Sequence, residues 1–173
     1  MPINNVQADM IKAMTKATDI LYQEMIQRLA SPDYPNEITE ATKTLPVKVD
    51  GGRVVGTIEI DLNKAEMALA FELGSGIHAE KGPRGMYKIQ PKDAQALAFR
   101  WNPQQEPWGS PKFIGKTPDG RYLFRWVDHP GIKARPYIQP SIEAKTQEIT
   151  QLLGNFWVTS LSKQLGPEVE VIR

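Results

Sequence analysis

The chain of 173 residues contains no cysteine. A disulfide framework and a thiolate zinc site are therefore both excluded. Only two histidines are present, His78 and His129, so imidazole chemistry has few candidates. No apolar run approaches the roughly 20 residues that a membrane-spanning helix needs, and no membrane partner is expected. The opening residues Met1-Pro2-Ile3-Asn4-Asn5 lack a basic region followed by an apolar core, so no signal peptide is expected. Phosphate-loop, dinucleotide-loop and His-Glu-x-x-His patterns are all missing. Internal repeats and low-complexity tracts are missing too. What remains is a chain long enough to bury roughly 70% of its unfolded surface as a single domain, 1–173, without staples.

The formal net charge of +1 conceals a division along the sequence. Residues 1–77 carry 7 basic and 11 acidic side chains, a net of −4, and residues 78–135 carry 11 basic and 5 acidic, a net of +6. Residues 136–173 carry 3 basic and 4 acidic, a net of −1. A basic middle between acidic ends suits a polyanion, or the acidic ends of a second copy. It is equally compatible with a solvated surface that has no partner.

Hydrophobic spacing predicts the elements. Met10, Met14, Ala17, Leu21, Met25 and Leu29 recur at three- and four-residue steps, predicting a helix over Gln7–Leu29 that Ser31-Pro32 ends. Residues 31–44 read as a loop with a helical turn near Glu37–Ala41. Val47–Val49 and Val54–Ile60 alternate around Asp50-Gly51-Gly52, a hairpin signal. Gly56 inside the second strand suggests a bulge or a close backbone approach. Asn63 is placed to cap a helix over Lys64–Leu73, with Glu66 at the capping-box position and Met67, Ala70, Phe71 and Leu73 as the candidates to face the core. Gly74-Ser75-Gly76 ends it.

The second half is predicted to be mostly strand. Met86–Gln90 and Gln95–Trp101 form two strands, with Leu97, Phe99 and Trp101 on one face. A flexible loop occupies about 75–86, and an irregular excursion occupies about 102–119, with a short strand at Lys112–Ile114. Arg121–Val127 returns with Tyr122, Phe124 and Trp126 on one face. A strongly helical run over Ser141–Leu165 follows, and the final helix shows Ile138, Ile142, Ile149, Leu152, Leu153, Phe156, Leu161 and Leu165 at mostly helical steps, widened by Trp157. The tail Glu168–Arg173 alternates valine and glutamate, as an edge strand does.

Between that returning strand and the last helix lies a corner, Val127 to Pro140. Pro130, Pro136 and Pro140 fix their own φ and push His129, Arg135 and Gln139 toward extended geometry. Gly131 can turn where a Cβ would be strained. The expected outcome is a stiff connection that orients the closing helix on the sheet.

Chemistry is sparse. If the loops around His78 and His129 met, Glu80 and Asp128 could join them at a zinc or iron ion. The simpler expectation is that a histidine before proline satisfies local backbone groups. Ser75 near His78 is the only neighbouring nucleophile and base pair. No catalytic residue and no cofactor is assigned. Nucleic-acid binding has more support. Lys81, Arg84, Lys88, Lys112, Lys133 and Arg135 would meet phosphates, and Trp108 or Tyr87 would stack on bases.

Three stretches combine into a pattern. They are Phe71-Glu72-Leu73-Gly74-Ser75-Gly76-Ile77-His78, then Gly82-Pro83-Arg84-Gly85-Met86, then His129-Pro130-Gly131-Ile132-Lys133-Ala134-Arg135-Pro136-Tyr137-Ile138-Gln139-Pro140-Ser141-Ile142. In order and spacing, over roughly residues 65–150, they resemble the tail-completion and head–tail joining proteins of long-tailed bacteriophages. The resemblance implies an α+β fold, with an antiparallel sheet packed against a long N-terminal helix and a C-terminal amphipathic helix. It implies a non-enzymatic protein of the virion neck or tail end, made in the host cytoplasm. Such a protein assembles as a homo-oligomeric ring, meeting the tail tube or tail terminator and the head–tail connector or portal-side neck protein, with a passing contact with DNA. Ile77, His78, Lys81, Arg84, Met86, Trp108, Lys133 and Arg135 are then the interface candidates. Gly74, Gly76, His129, Pro130, Gly131, Pro136 and Pro140 form the structural corner. The competing expectation is a nucleic-acid-binding α+β module that uses the basic 78–135 segment.

Overall fold

The computed structural model describes residues 3–80, 85–100 and 112–165. The fold is α+β: a long helix at each end of the described chain, with antiparallel strands between. Two compact units divide it, residues 1–68 with 136–173, and residues 69–135.

In the first unit, α1 spans Ile3–Leu29. Ala17, Met25 and Leu29 of the predicted row are buried, together with Ala13, whereas Met10, Met14 and Leu21 are half-buried. Burying Met25 or Leu29 contributes about 2 kcal/mol each. A short helix α2, Asn36–Ala41, buries Ile38 and Ala41. It leads without a gap into β1, Thr42–Asp50, which pairs antiparallel with β2, Arg53–Ile60. The strand therefore starts five residues before the expected Val47. The Thr42 hydroxyl donates to the Ile38 carbonyl at 2.6 Å and ties the junction. Pro46 lacks an amide hydrogen, and the ladder accommodates it by a register shift between Leu45 and Lys48. Gly51 and Gly52 both hold positive φ, 52° and 79°, as a two-residue hairpin turn requires.

Both strands pack on α1, and so does α4, Ile138–Leu165. The close approach anticipated at Gly56 is to α1. A Cβ there would collide with the Thr18 hydroxyl, which itself donates to the Met14 carbonyl at 2.8 Å.

The last helix starts three residues before the expected Ser141, so Gln139 is helical rather than extended. Pro140 is tolerated because amides of the first turn need no intrahelical acceptor. Tyr137, just before it, is fully buried and meets Tyr34 edge-on with ring centroids 5.8 Å apart. The Ser141 hydroxyl donates to the Tyr137 carbonyl at 2.6 Å. The expected apolar stripe is only partly covered. Ser141 and Ser160 are buried, while Ile142, Trp157 and Leu161 are exposed.

The second unit begins with most of α3, Ala68–Leu73. This helix is shorter than the predicted Lys64–Leu73, and Asn63 does not cap it. Asp61 organises the preceding turn instead: its carboxylate accepts the Asn63 amide at 3.0 Å, and its carbonyl accepts those of Lys64 and Ala65. Met67 consequently faces solvent, and Ala65, Ala68 and Phe71 are the buried positions.

Two small antiparallel sheets follow. One pairs β3, Tyr87–Ile89, with β7, Val127–His129. The other has the order β4-β6-β5, from Leu97–Phe99, Tyr122–Phe124 and Phe113–Lys116. The single strand expected over Arg121–Val127 is thus two strands that change partner at Arg125-Trp126. Part of the predicted aromatic face is present, Phe99 with Tyr122 and Phe124, while Trp126 lies past the end of β6 and Trp101 lies outside the described residues. Leu97 pairs with Phe124 and Phe99 with Tyr122, so those four side chains project together. Phe124 is 2% exposed, with Phe99 stacked on it at 5.0 Å and Phe113 edge-on at 5.7 Å.

Candidate functional site

The site is built where the two glycine-bearing motifs meet within residues 69–135. As α3 ends, Gly74 and Gly76 take φ of 70° and 60°, which turns the chain back on itself. Ser75 lies between them, and Gly76–His78 makes one 3₁₀ turn. The His129-Pro130-Gly131 corner runs antiparallel alongside. The Phe71 carbonyl accepts the Arg135 amide at 2.6 Å. Ser75 and Ile132 bond reciprocally: the Ser75 amide donates to the Ile132 carbonyl at 2.8 Å, and the Ile132 amide donates to the Ser75 hydroxyl oxygen at 2.9 Å. The Ile77 amide donates to the Pro130 carbonyl at 2.7 Å.

Close packing explains the glycines. A Cβ on Gly131, whose φ is 99°, would strike the Ser75 carbonyl. One on Gly76 would strike the Pro130 carbonyl, and one on Gly74 the His78 carbonyl. Backbone meets backbone here, with no side chain to yield.

His129 belongs to the same frame. Its Nδ1 accepts the Gly131 amide at 2.9 Å, and its ring lies 5.4 Å from that of Tyr87. Burial pushes its pKa below the ordinary histidine value, so the neutral imidazole that can accept this bond is favoured. The imidazole thus satisfies a local backbone group, as expected of a histidine before proline. Among the described residues, no three His, Asp or Glu side chains gather closely enough to hold a metal ion. The Ser75 hydroxyl is engaged with Ile132, so the suspected nucleophile has a structural task.

Around this frame, Ile77 and Met86 are 46% and 52% exposed. Met86 immediately precedes Tyr87, whose pairing with His129 begins the β3–β7 ladder. The Ile77 amide is held by the carbonyl of Pro130, the residue that follows His129. His78 is half-buried, and Lys133 and Arg135 are exposed. Lys81, Arg84 and Trp108 lie outside the described residues. In the first unit, Pro136 is exposed and Pro140 sits in the first turn of α4.

One feature of this unit is not encoded in the alternation of the sequence. The Lys88 and Lys112 ammonium groups stand 4.8 Å and 5.5 Å from the ring centroid of Trp126, and Lys116 stands 4.2 Å from that of Tyr122. The sequence marks Lys88 and Lys112 as phosphate ligands but Trp126 only as a residue of a strand face. The partner change at Arg125-Trp126, which the alternation does not encode, puts the indole among lysines.

The two units carry opposite charge. Residues 69–135 hold 11 basic and 6 acidic side chains, a net of +5, and the remainder holds 10 basic and 14 acidic, a net of −4. No family model, no curated protein and no solved structure matches this chain.

Proposed function

We propose that this chain is a non-enzymatic structural protein of the neck or tail end of a long-tailed bacteriophage, and that it assembles as a ring which completes the tail or joins it to the head. Its partners would be further copies of itself, the tail tube or terminator, and the head–tail connector or portal-side neck protein. The observation that carries this reading is the backbone interlock of Gly74-Ser75-Gly76 with His129-Pro130-Gly131. These are two of the three stretches on which the resemblance rests, and they are in contact through their glycines.

Physical chemistry supports the same reading. A ring subunit shows different surfaces to its two neighbours, so opposite charge on two parts of the chain suits head-to-tail association. Ile77 and Met86 are exposed apolar side chains beside an unyielding backbone. A contact formed there would order few additional bonds, which favours association.

The test is negative-stain imaging and sedimentation of the purified chain, alone and with tail tubes. Rings are expected from the intact chain. A variant lacking residues 81–84 should remain a folded monomer and form none. That deletion spares Ala79, which is buried, and Glu80, whose amide donates to the Leu73 carbonyl. Rings from the deletion variant would remove the loop from the interface. An intact chain that stays monomeric under both conditions would overturn the proposal itself.

A further inference from the structure

We propose that the β4-β6-β5 face, together with the neighbouring Trp126, is a binding surface for single-stranded nucleic acid. This goes beyond a role in assembly and rests on different residues. The sheet offers rings at its edge and cations beside them. Phe113, on edge strand β5, is 53% exposed, although it packs edge-on against the buried Phe124. Lys112 immediately precedes it and Lys116 ends the strand, with a register shift between Phe113 and Gly115 lying between the two lysines. Each lysine is held beside an aromatic ring, Lys112 at Trp126 and Lys116 at Tyr122. Lys88 completes the Trp126 pair from β3.

This arrangement answers the chemistry of an unpaired strand. Bases have apolar faces that stack on rings, and phosphates need cations at intervals along the same track. A duplex hides its base faces, so an exposed phenylalanine offers it nothing. The sign of the charge agrees, since this unit has a net of +5. An acidic protein could also meet the lysines, but its carboxylates would leave the exposed ring unused.

The experiment is fluorescence anisotropy with the full chain and a labelled mixed-sequence single strand of about 15 nucleotides, as DNA and as RNA, against a duplex of the same sequence. The single strand is expected to bind, more tightly than the duplex, and more weakly as salt rises. Phe113→Ala should weaken binding by roughly 5- to 100-fold, the range for one lost stacking contact, while Phe113→Trp should retain it. Replacing Lys112 and Lys116 together by alanine should reduce the salt slope by about 1.4, roughly 0.7 for each lost phosphate contact. Circular dichroism establishes that each variant is folded. Absence of binding at low salt, equal affinity for duplex and single strand, or a folded Phe113→Ala variant with unchanged affinity would each overturn the proposal.

Discussion

Gly131 stands so close to Ser75 that a Cβ on the glycine would strike the serine carbonyl, while its own φ is 99°. Alanine at 131 therefore meets both a backbone penalty and a collision. Gly131→Ala should destabilise the protein by at least about 2 kcal/mol in urea denaturation. Gly120→Ala is the control, because φ there is 83° but nothing lies within 4 Å. It should cost only about 1 to 2 kcal/mol, the backbone part alone. Equal losses at the two positions would show that the interlock is looser than described.

The Ser75 hydroxyl makes a separate prediction. It accepts the Ile132 amide, which has no other acceptor in this exchange. Ser75→Ala leaves that half-buried amide unsatisfied and should cost about 1 to 3 kcal/mol. Ser75→Thr keeps the oxygen and should recover part of that loss. A stable alanine variant would return Ser75 to the list of residues in search of a function.

Stability should depend on pH through His129. Its pKa is lowered in the folded state by burial, so between the folded value and the ordinary 6.5 the unfolded chain binds more protons. The contribution is fully present above 6.5 and is lost as pH falls through the folded value, with no further change below it. Protonation also removes the Nδ1 lone pair that accepts the Gly131 amide. Urea midpoints of the intact chain should fall below pH 6.5 more steeply than those of His129→Gln. Parallel pH curves would show that the imidazole titrates normally.

These cases show what was legible in the sequence. Periodicity placed α1 and the hairpin because both pack on partners, although Met10, Met14 and Leu21 of the predicted row are only half-buried and Val49 and Val55 are exposed. Glycine chemistry placed the C-terminal end of α3 and the turn at Gly131, since positive φ is a local demand. It could not show that Gly76 and Gly131 need glycine also for contact with each other's segments. The strand over Arg121–Val127 was misread as one element because alternation continues through Arg125, and only the choice of partner changes there. Met67 was misassigned because helical spacing was assumed where Asp61 folds a turn first. Trp126 was missed because its lysines come from β3 and from the residue preceding β5.

The aromatic sheet makes a prediction about where stability resides. Phe124 is 2% exposed beneath Phe99, Phe113 and Tyr122, whereas Phe113 is mostly open. Phe124→Ala should cost about 3 to 5 kcal/mol, because a buried ring leaves a cavity. Phe113→Ala should cost less than about 1.5 kcal/mol, since its ring is already largely in water. Thermal melts of the two variants decide the matter, and similar losses would mean that Phe113 is covered in solution.

Gly56 and Thr18 should be energetically coupled. Alanine at 56 directs its Cβ into the Thr18 hydroxyl, and that hydroxyl is fixed by its bond to the Met14 carbonyl at 2.8 Å. Relief requires the threonine rotamer to change or β2 to lift from α1. Overpacking of this kind costs about 1 to 3 kcal/mol. Thr18→Ala removes the colliding oxygen, although its Cβ would still lie 3.2 Å from the new methyl group. The pair should therefore be non-additive: Gly56→Ala costs less in the Thr18→Ala background, by at least about 0.5 kcal/mol. A double-mutant cycle in urea measures this directly. If the two losses simply add, β2 does not approach α1 as closely as the absent side chain at 56 allows.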